Sequence, residues 1–210
     1  MKALRIIFFL LITMKAYGQI AIGTGIVWIE FDGSTTVDFY KAQNDEVYNR
    51  RILIYEDSDD EVLTLKDYHK RKNWLQPEVM QVDAYHLNFR CKSQTEKWFE
   101  VVVNNEKGST MWLKRSEQTK FQSWKEYLIS MFGIARLNAK IQGIYEAPDE
   151  GAKKIETQGK DCFQVRDMKG DWIEIYSSDE CNSEDRTEIK SAWIKWKEGE
   201  KILISYNTTG

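Results

Sequence analysis

An internal repeat constrains this chain more than any other feature. Phe89 and Trp98 are separated by the same interval as Phe163 and Trp172. Each tryptophan opens the same strand pattern, Trp98-Phe99-Glu100-Val101 and Trp172-Ile173-Glu174-Ile175. Downstream, Thr110-Met111-Trp112-Leu113-Lys114 matches Ser191-Ala192-Trp193-Ile194-Lys195. The offset is 74 at the first two stations and 81 at the third, so the second copy carries about seven extra residues, placed in the acidic segment 177–188. Upstream, Tyr40-Lys41-Ala42 matches Tyr145-Glu146-Ala147, and each is followed by an acidic pair, Asp45-Glu46 and Asp149-Glu150. The offset there is 105, which gives the first copy about 31 extra residues, near 48–82. Matched stations in one order imply a single structural unit used twice.

The local pattern says what that unit is made of. Short runs of β-formers bounded by Gly, Asn, Asp and Ser dominate, as in GIVWIEF at 25–31, RILIY at 51–55, WFEVVV at 98–103 and KILISY at 201–206. Lys107-Gly108-Ser109 and Lys169-Gly170-Asp171 read as turns. One helix is predicted near 123–132. Ser123 would cap it, Glu126 would complete a capping box, Trp124, Leu128 and either Met131 or Phe132 would share a face, and Gly133 would end it. The fold class expected is therefore mainly β: two tandem small barrels, at 19–135 and 136–210, joined by one short helix. Trp196 is read as turned away from the Ile194 face, toward an exposed edge.

The second copy resembles a bacterial SH3-like (SH3b-type) domain over about residues 139–205. The stations are Tyr145 to Glu150, Phe163 to Arg166, Gly170-Asp171-Trp172-Ile173-Glu174-Ile175 and Ala192-Trp193-Ile194. The usual Asn-Val-Arg opening is absent, Ala192 stands where Gly is usual, and the loop before Trp193 is long. The first copy resembles the family only through its likeness to the second. The resemblance implies two SH3-like barrels that bind peptides in aromatic-lined grooves. The residues it points to are Tyr40 and Trp112 in the first copy, and Tyr145, Trp172 and Trp193 in the second. The competing reading makes Trp98, Trp112 and Trp172 packing residues, since buried aromatics are commoner than binding ones.

The N-terminus bears on compartment. Residues 1–18 combine Lys2 and Arg5, a short apolar core at 6–14, and Ala16-Tyr17-Gly18 ahead of Gln19. That is the pattern of a secretory signal peptide, too short for a stable span. It resembles signal peptides of the Bacteroidota, where Gln often follows the cut. The location expected is periplasmic or secreted, with no membrane span after cleavage. Removing the segment leaves 27 basic and 33 acidic residues, net −6. With no basic surplus, nucleic acid is an unsuitable partner. The basic run His69-Lys70-Arg71-Lys72 follows acidic residues 56–61 and reads as solvated loop charge. An oxidising compartment permits a disulfide. Of the three cysteines, Cys162 and Cys181 are the pair expected, with Cys91 left as a buried thiol.

Candidate chemistry is thin. A thiol hydrolase would have to use Cys91 with His86 or His69. His86 and Cys91 stand five apart in a predicted strand and so face opposite ways. Adjacent acids such as Asp59-Asp60-Glu61 and Asp179-Glu180 read as solvated loops. No metal set, cofactor motif or serine nucleophile is discernible. The function expected is an exported non-catalytic binding module recognising cell-wall peptide (peptidoglycan peptide) or an envelope protein. The alternatives are a cell-wall cysteine hydrolase using Cys91 and His86, or a structural subunit of an exported assembly.

Overall fold

The structure is a computed structural model that describes residues 20–58, 61–158, 161–177 and 187–207. The leader at 1–18, the acids Asp59 and Asp60, and Cys181 lie outside the described residues. The first half runs β1 (Gly25–Ile29), β2 (Thr36–Phe39), β3 (Arg50–Asp57), β4 (Val62–Leu65), the helical turn α1 (Tyr68–Arg71), β5 (Val79–Gln81), β6 (His86–Gln94), β7 (Trp98–Asn104), β8 (Ser109–Lys114) and β9 (Thr119–Ser123). After α2 (Trp124–Ile129) come β10 (Gly133–Arg136), β11 (Gln164–Lys169), β12 (Trp172–Tyr176), β13 (Ala192–Lys195), the small hairpin β14 (Lys197–Glu198) and β15 (Lys201–Ile202), and β16 (Ile204–Asn207). The chain is mainly β, in antiparallel sheets.

The main sheet has the order β8-β7-β6-β1-β9, with β5 beside the first part of β6. In the second half β11, β12 and β13 form a meander, β10 pairs with β16, and Ile134 in β10 bridges Phe163 just before β11. The connectivity is the same in both halves. So is the register. Arg90↔Val102, Cys91↔Val101, Ser93↔Glu100 and Gln94↔Phe99 in the first half have Gln164↔Tyr176, Val165↔Ile175, Asp167↔Glu174 and Met168↔Ile173 in the second. Even the irregularity recurs, between Cys91 and Ser93 and between Val165 and Asp167. A bulge re-aims a strand and its position is a designed feature rather than noise. The next ladder agrees too: Trp98↔Lys114 and Glu100↔Trp112 correspond to Trp172↔Lys195 and Glu174↔Trp193.

The ladders between described residues remain open sheets, with no closed barrel. What brings the ends of each half together is a single two-residue bridge, Tyr40 with Trp112 and Tyr145 with Trp193. The expected boundary at 135/136 falls inside β10.

Two apolar cores follow from strand alternation. Val27 and Ile29 of β1 face the first, with Phe39, Ile52, Phe89, Cys91 and Leu113. Ile26 of the same strand faces the second, with Trp124, Leu128, Ile173, Ile175 and Ile194. β1 is thus a wall between both cores. The helix contributes Trp124, Tyr127 and Leu128 to the second core. Ser123 caps it and Glu126 closes the capping box, as expected; such caps typically add ~1 kcal/mol.

Three local expectations need correction. The helix ends at Ile129 with Ser130 as its cap, and Gly133 begins β10 instead of terminating the helix. Phe132 N–H already donates to Asn207 O, so pairing with the C-terminal strand captures the chain first. Residues 68–71 of the basic run's neighbourhood form the exposed turn α1 rather than loop. Trp196 is buried, not at an exposed edge. It shares parity with Ile194, so both reach the same core, where its ring lies 5.4 Å from that of Trp124 and its indole N–H donates to Gly170 O at 3.0 Å.

Candidate functional site

Each half builds the same outer-face constellation on its meander. Paired residues on adjacent antiparallel strands share a face, so Trp172, Glu174, Trp193 and Lys195 stand together opposite the core residues Ile173, Ile175 and Ile194. Trp98, Glu100, Trp112 and Lys114 are their counterparts. Glu100 accepts from Thr110 Oγ1 at 2.9 Å and pairs with Lys92 at 2.8 Å. Glu174 accepts from Ser191 Oγ at 2.6 Å and pairs with Arg166 at 3.7 Å. Burial opposes ionisation of Glu100, but hydrogen bonds from Lys92, Ser93 and Thr110 outweigh it and hold the carboxyl below its ordinary value.

The aromatic corner is repeated as well. Tyr40 meets Trp98 edge-on at 5.1 Å and 83°, and Tyr145 meets Trp172 edge-on at 5.5 Å and 86°. Edge-to-face contact is the favoured geometry for such rings. The corners differ in what lies on them. In the first half the Lys114 ammonium sits 4.6 Å from the Tyr40 ring centre and 5.3 Å from that of Trp98. Tyr40 and Trp98 are 8% and 5% exposed. In the second half Lys195 is drawn to Glu150 at 2.9 Å and Glu198 at 3.2 Å. Tyr145 and Trp172 stay half-buried and open onto a groove of about 400 Å³. Leu137, Ile141 and Leu203 are its apolar walls; Leu137 and Ile141 are exposed.

The groove wall is anchored from below. Arg136 makes a bidentate pair with Asp161, 2.5 and 2.8 Å, both side chains nearly buried. Its third arm donates to Gln142 O at 2.6 Å. Gln142 in turn donates to Lys195 O at 2.6 Å, and Leu137 N–H to Leu203 O at 3.0 Å. Gly143 is required by close approach: a Cβ there would stand 2.7 Å from the Tyr145 ring and 2.6 Å from Lys154 Cε.

The expected site residues thus fall into two clusters. Tyr40 and Trp112 join by reciprocal backbone hydrogen bonds of 2.8 Å, and Tyr145 and Trp193 by bonds of 2.9 and 2.8 Å. Trp172 joins the second cluster through its ring. Tyr40 is buried and Trp112 half-buried, so the first cluster offers little aromatic surface. Sequence reading overlooked Glu150, Lys195 and Glu198 as site residues, and the whole 137–143 wall. A signal existed for two of them, since Lys195 and Glu150 stand inside the repeated stations.

The thiol candidate is differently placed. Cys91 is free and fully buried, and burial pushes its thiol up to about 11. An activated nucleophile needs the opposite shift. Cys162 is disulfide-bonded; its expected partner Cys181 lies outside the described residues. Among the described residues no group of three or more His, Cys, Asp or Glu side chains is set to hold a metal ion. Nor is any helix among them long and apolar enough to cross a membrane.

A second concavity, about 630 Å³, lies where the halves meet. Glu78 is its hub. Arg90 donates to it at 2.5 Å, Asn105 at 2.5 Å, and the Tyr206 hydroxyl also donates to it. Asn88 reaches across to the Tyr127 hydroxyl at 3.2 Å. Burial pushes Tyr127 up to about 12, and burial with the Glu78 charge raises Tyr206 well above its ordinary value. These linked polar groups read as a staple between halves, with the buried Asn105 Oδ1 left without a hydrogen-bond partner among the described residues. Comparison with protein-family models, with curated proteins and with solved structures returns no match.

Proposed function

We propose that the protein is an exported, non-catalytic binding module of two SH3-like units. The second unit would take up a stretch of polypeptide, either a cell-wall peptide or a segment of an envelope protein. The observation that carries this reading is the open groove at Tyr145 and Trp172, walled by exposed Leu137 and Ile141. Concave, mostly apolar surface with a few fixed polar groups is the usual form of a binding site. The two-unit reading draws on the shared register and bulge of the meanders. Export draws on the leader pattern and on the disulfide at Cys162, a bond at home in oxidising compartments. The inaccessible thiol of Cys91 speaks against the cysteine-hydrolase alternative.

The test is titration of the mature protein with soluble muropeptides and with a panel of envelope proteins, read by tryptophan fluorescence. Binding that Trp172→Ala abolishes and Trp98→Ala leaves intact is the expected result. Binding to none of them above millimolar affinity, or binding indifferent to Trp172, overturns the proposal.

A further inference from the structure

The two corners are the same device in two states, and the occupied one shows what the open one accepts. In the first half a lysine from the neighbouring strand lies over the Tyr40 and Trp98 rings. Its ammonium sits within the ~6 Å at which ring quadrupoles attract cations. In the second half the ring pair has the same edge-to-face geometry, but the lysine of that register position has left it. Lys195 is held by Glu150 and Glu198, whose side chains remain 64% and 68% exposed. Two carboxylates therefore face one ammonium beside a ring pair over whose faces no cation sits among the described residues; Lys154 Cε packs near the edge of the Tyr145 ring beside Gly143, and Lys169 lies 5.6 Å from the neighbouring Trp193 ring centre. Lys201, exposed, is the other cation of the groove lining. The apolar walls Leu137, Ile141 and Leu203 lead to the corner and suit the methylene stem of a long basic side chain.

We infer that the Tyr145–Trp172 corner is the seat of a lysine or arginine side chain presented by a polypeptide partner, and that Lys114 fills the equivalent seat of the first half from within. The inference rests on the reading of this groove as a binding site and names the chemistry of its occupant. It makes the first half a self-occupied copy and the protein a one-site binder.

The probes are two pentapeptides, acetyl-Ala-Leu-Lys-Leu-Ala-amide and its norleucine counterpart, which keeps the stem and lacks the charge. Indole N–H resonances of the mature protein report each site. The lysine probe should shift Trp172 and bind about five- to tenfold more tightly than the norleucine probe. Glu150→Gln with Glu198→Gln should narrow that ratio, and Lys201→Ala should tighten the lysine probe about twofold. Lys114→Gln, on the exposed face, should make the Trp98 indole respond as well. Equal or tighter binding of the norleucine probe at Trp172 overturns the cationic seat and leaves the groove standing. No shift of Trp172 by either probe at millimolar concentration overturns both. Shifts that follow protein concentration without peptide assign the groove to a second copy and overturn the inference.

Discussion

The two halves place Tyr, Trp, Trp and Lys at the same register positions, yet the Tyr40 and Trp98 rings are buried beneath Lys114, with Trp98 at the floor of a concavity of about 510 Å³, whereas Tyr145 and Trp172 are half-exposed. The cause is a short length of chain beyond the shared strands. Val27↔Phe121 and Ile134↔Tyr206 are equivalent pairs, so Lys114 to Phe121 corresponds to Lys195 to Tyr206. The second connection is four residues longer. That extra length forms the β14–β15 hairpin, turned at Gly199 with φ 56°, a conformation glycine adopts without penalty. The hairpin carries Glu198, which with Glu150 pulls Lys195 off the rings. The lesson is that two aromatic corners of like register can differ in exposure without differing in their aromatic residues. Only the destination of one charge has to change.

The largest effect expected in either half comes from the support under the open groove. Position 136 corresponds to Ile29 of the first core, so the buried Arg136–Asp161 pair belongs to the second half only. Asp161→Asn should cost about 3–5 kcal/mol in denaturant unfolding, because it strands a buried guanidinium. The double change Arg136→Met with Asp161→Leu should recover most of that. A loss below ~1 kcal/mol for Asp161→Asn would mean the groove wall stands without this anchor.

Next is the contrast of the two corner tryptophans. Trp98→Ala removes a buried ring and should destabilise by about 3 kcal/mol, whereas half-buried Trp172→Ala should cost about half as much. Equal losses in equilibrium unfolding would erase the distinction between closed and open corners. Gly143→Ala sharpens it further: the new methyl displaces the Tyr145 ring, so the ring's resonances should move and stability should fall by about 1–3 kcal/mol.

The staple between halves should fail at high pH. Tyr127 and Tyr206 ionise only above their ordinary value near 10, so the unfolded chain releases their protons first. Their stabilising contribution is whole below about 10 and is lost as pH rises toward 12 and beyond. Alkaline unfolding of Tyr206→Phe should lose part of that slope. An unchanged slope in urea midpoints between pH 9 and 12 would show that the junction does not depend on this hydroxyl.

The smallest effect lies with Glu100. Its folded value is lowered from 4.5, so its contribution is present above that value and disappears as pH falls through the depressed one. A carboxyl carbon titration by NMR should place its midpoint below 4.5. A midpoint at or above it would mean that burial outweighs the Lys92, Ser93 and Thr110 hydrogen bonds.

Much of the fold was legible in local pattern. Runs of β-formers located β7 and β12, and in β12 the residues alternate in burial as a strand with one buried face requires; the repeated stations pointed to β8 and β13. Ser123 and Glu126 announced the start of α2, since capping is a three-residue contact. Its end was misjudged because Phe132 is held by Asn207, a partner seventy-five residues away. The candidate site was only half legible. Tyr145, Trp172 and Trp193 stand out as repeated aromatics, but nothing local shows that Trp172 is open while Trp98 is closed.

The sequence by itself therefore determined the strand-rich character of the chain, the repeated stations and the residue types at each corner, all of which are written in the local run of residues. The tertiary structure alone decided that β1 serves two cores, that Trp196 is buried against Trp124, and which carboxylates hold Lys195. Those outcomes depend on where distant segments end up. A charge or a ring takes the partner that the folded chain brings within a few ångströms, and one-dimensional spacing does not carry that distance.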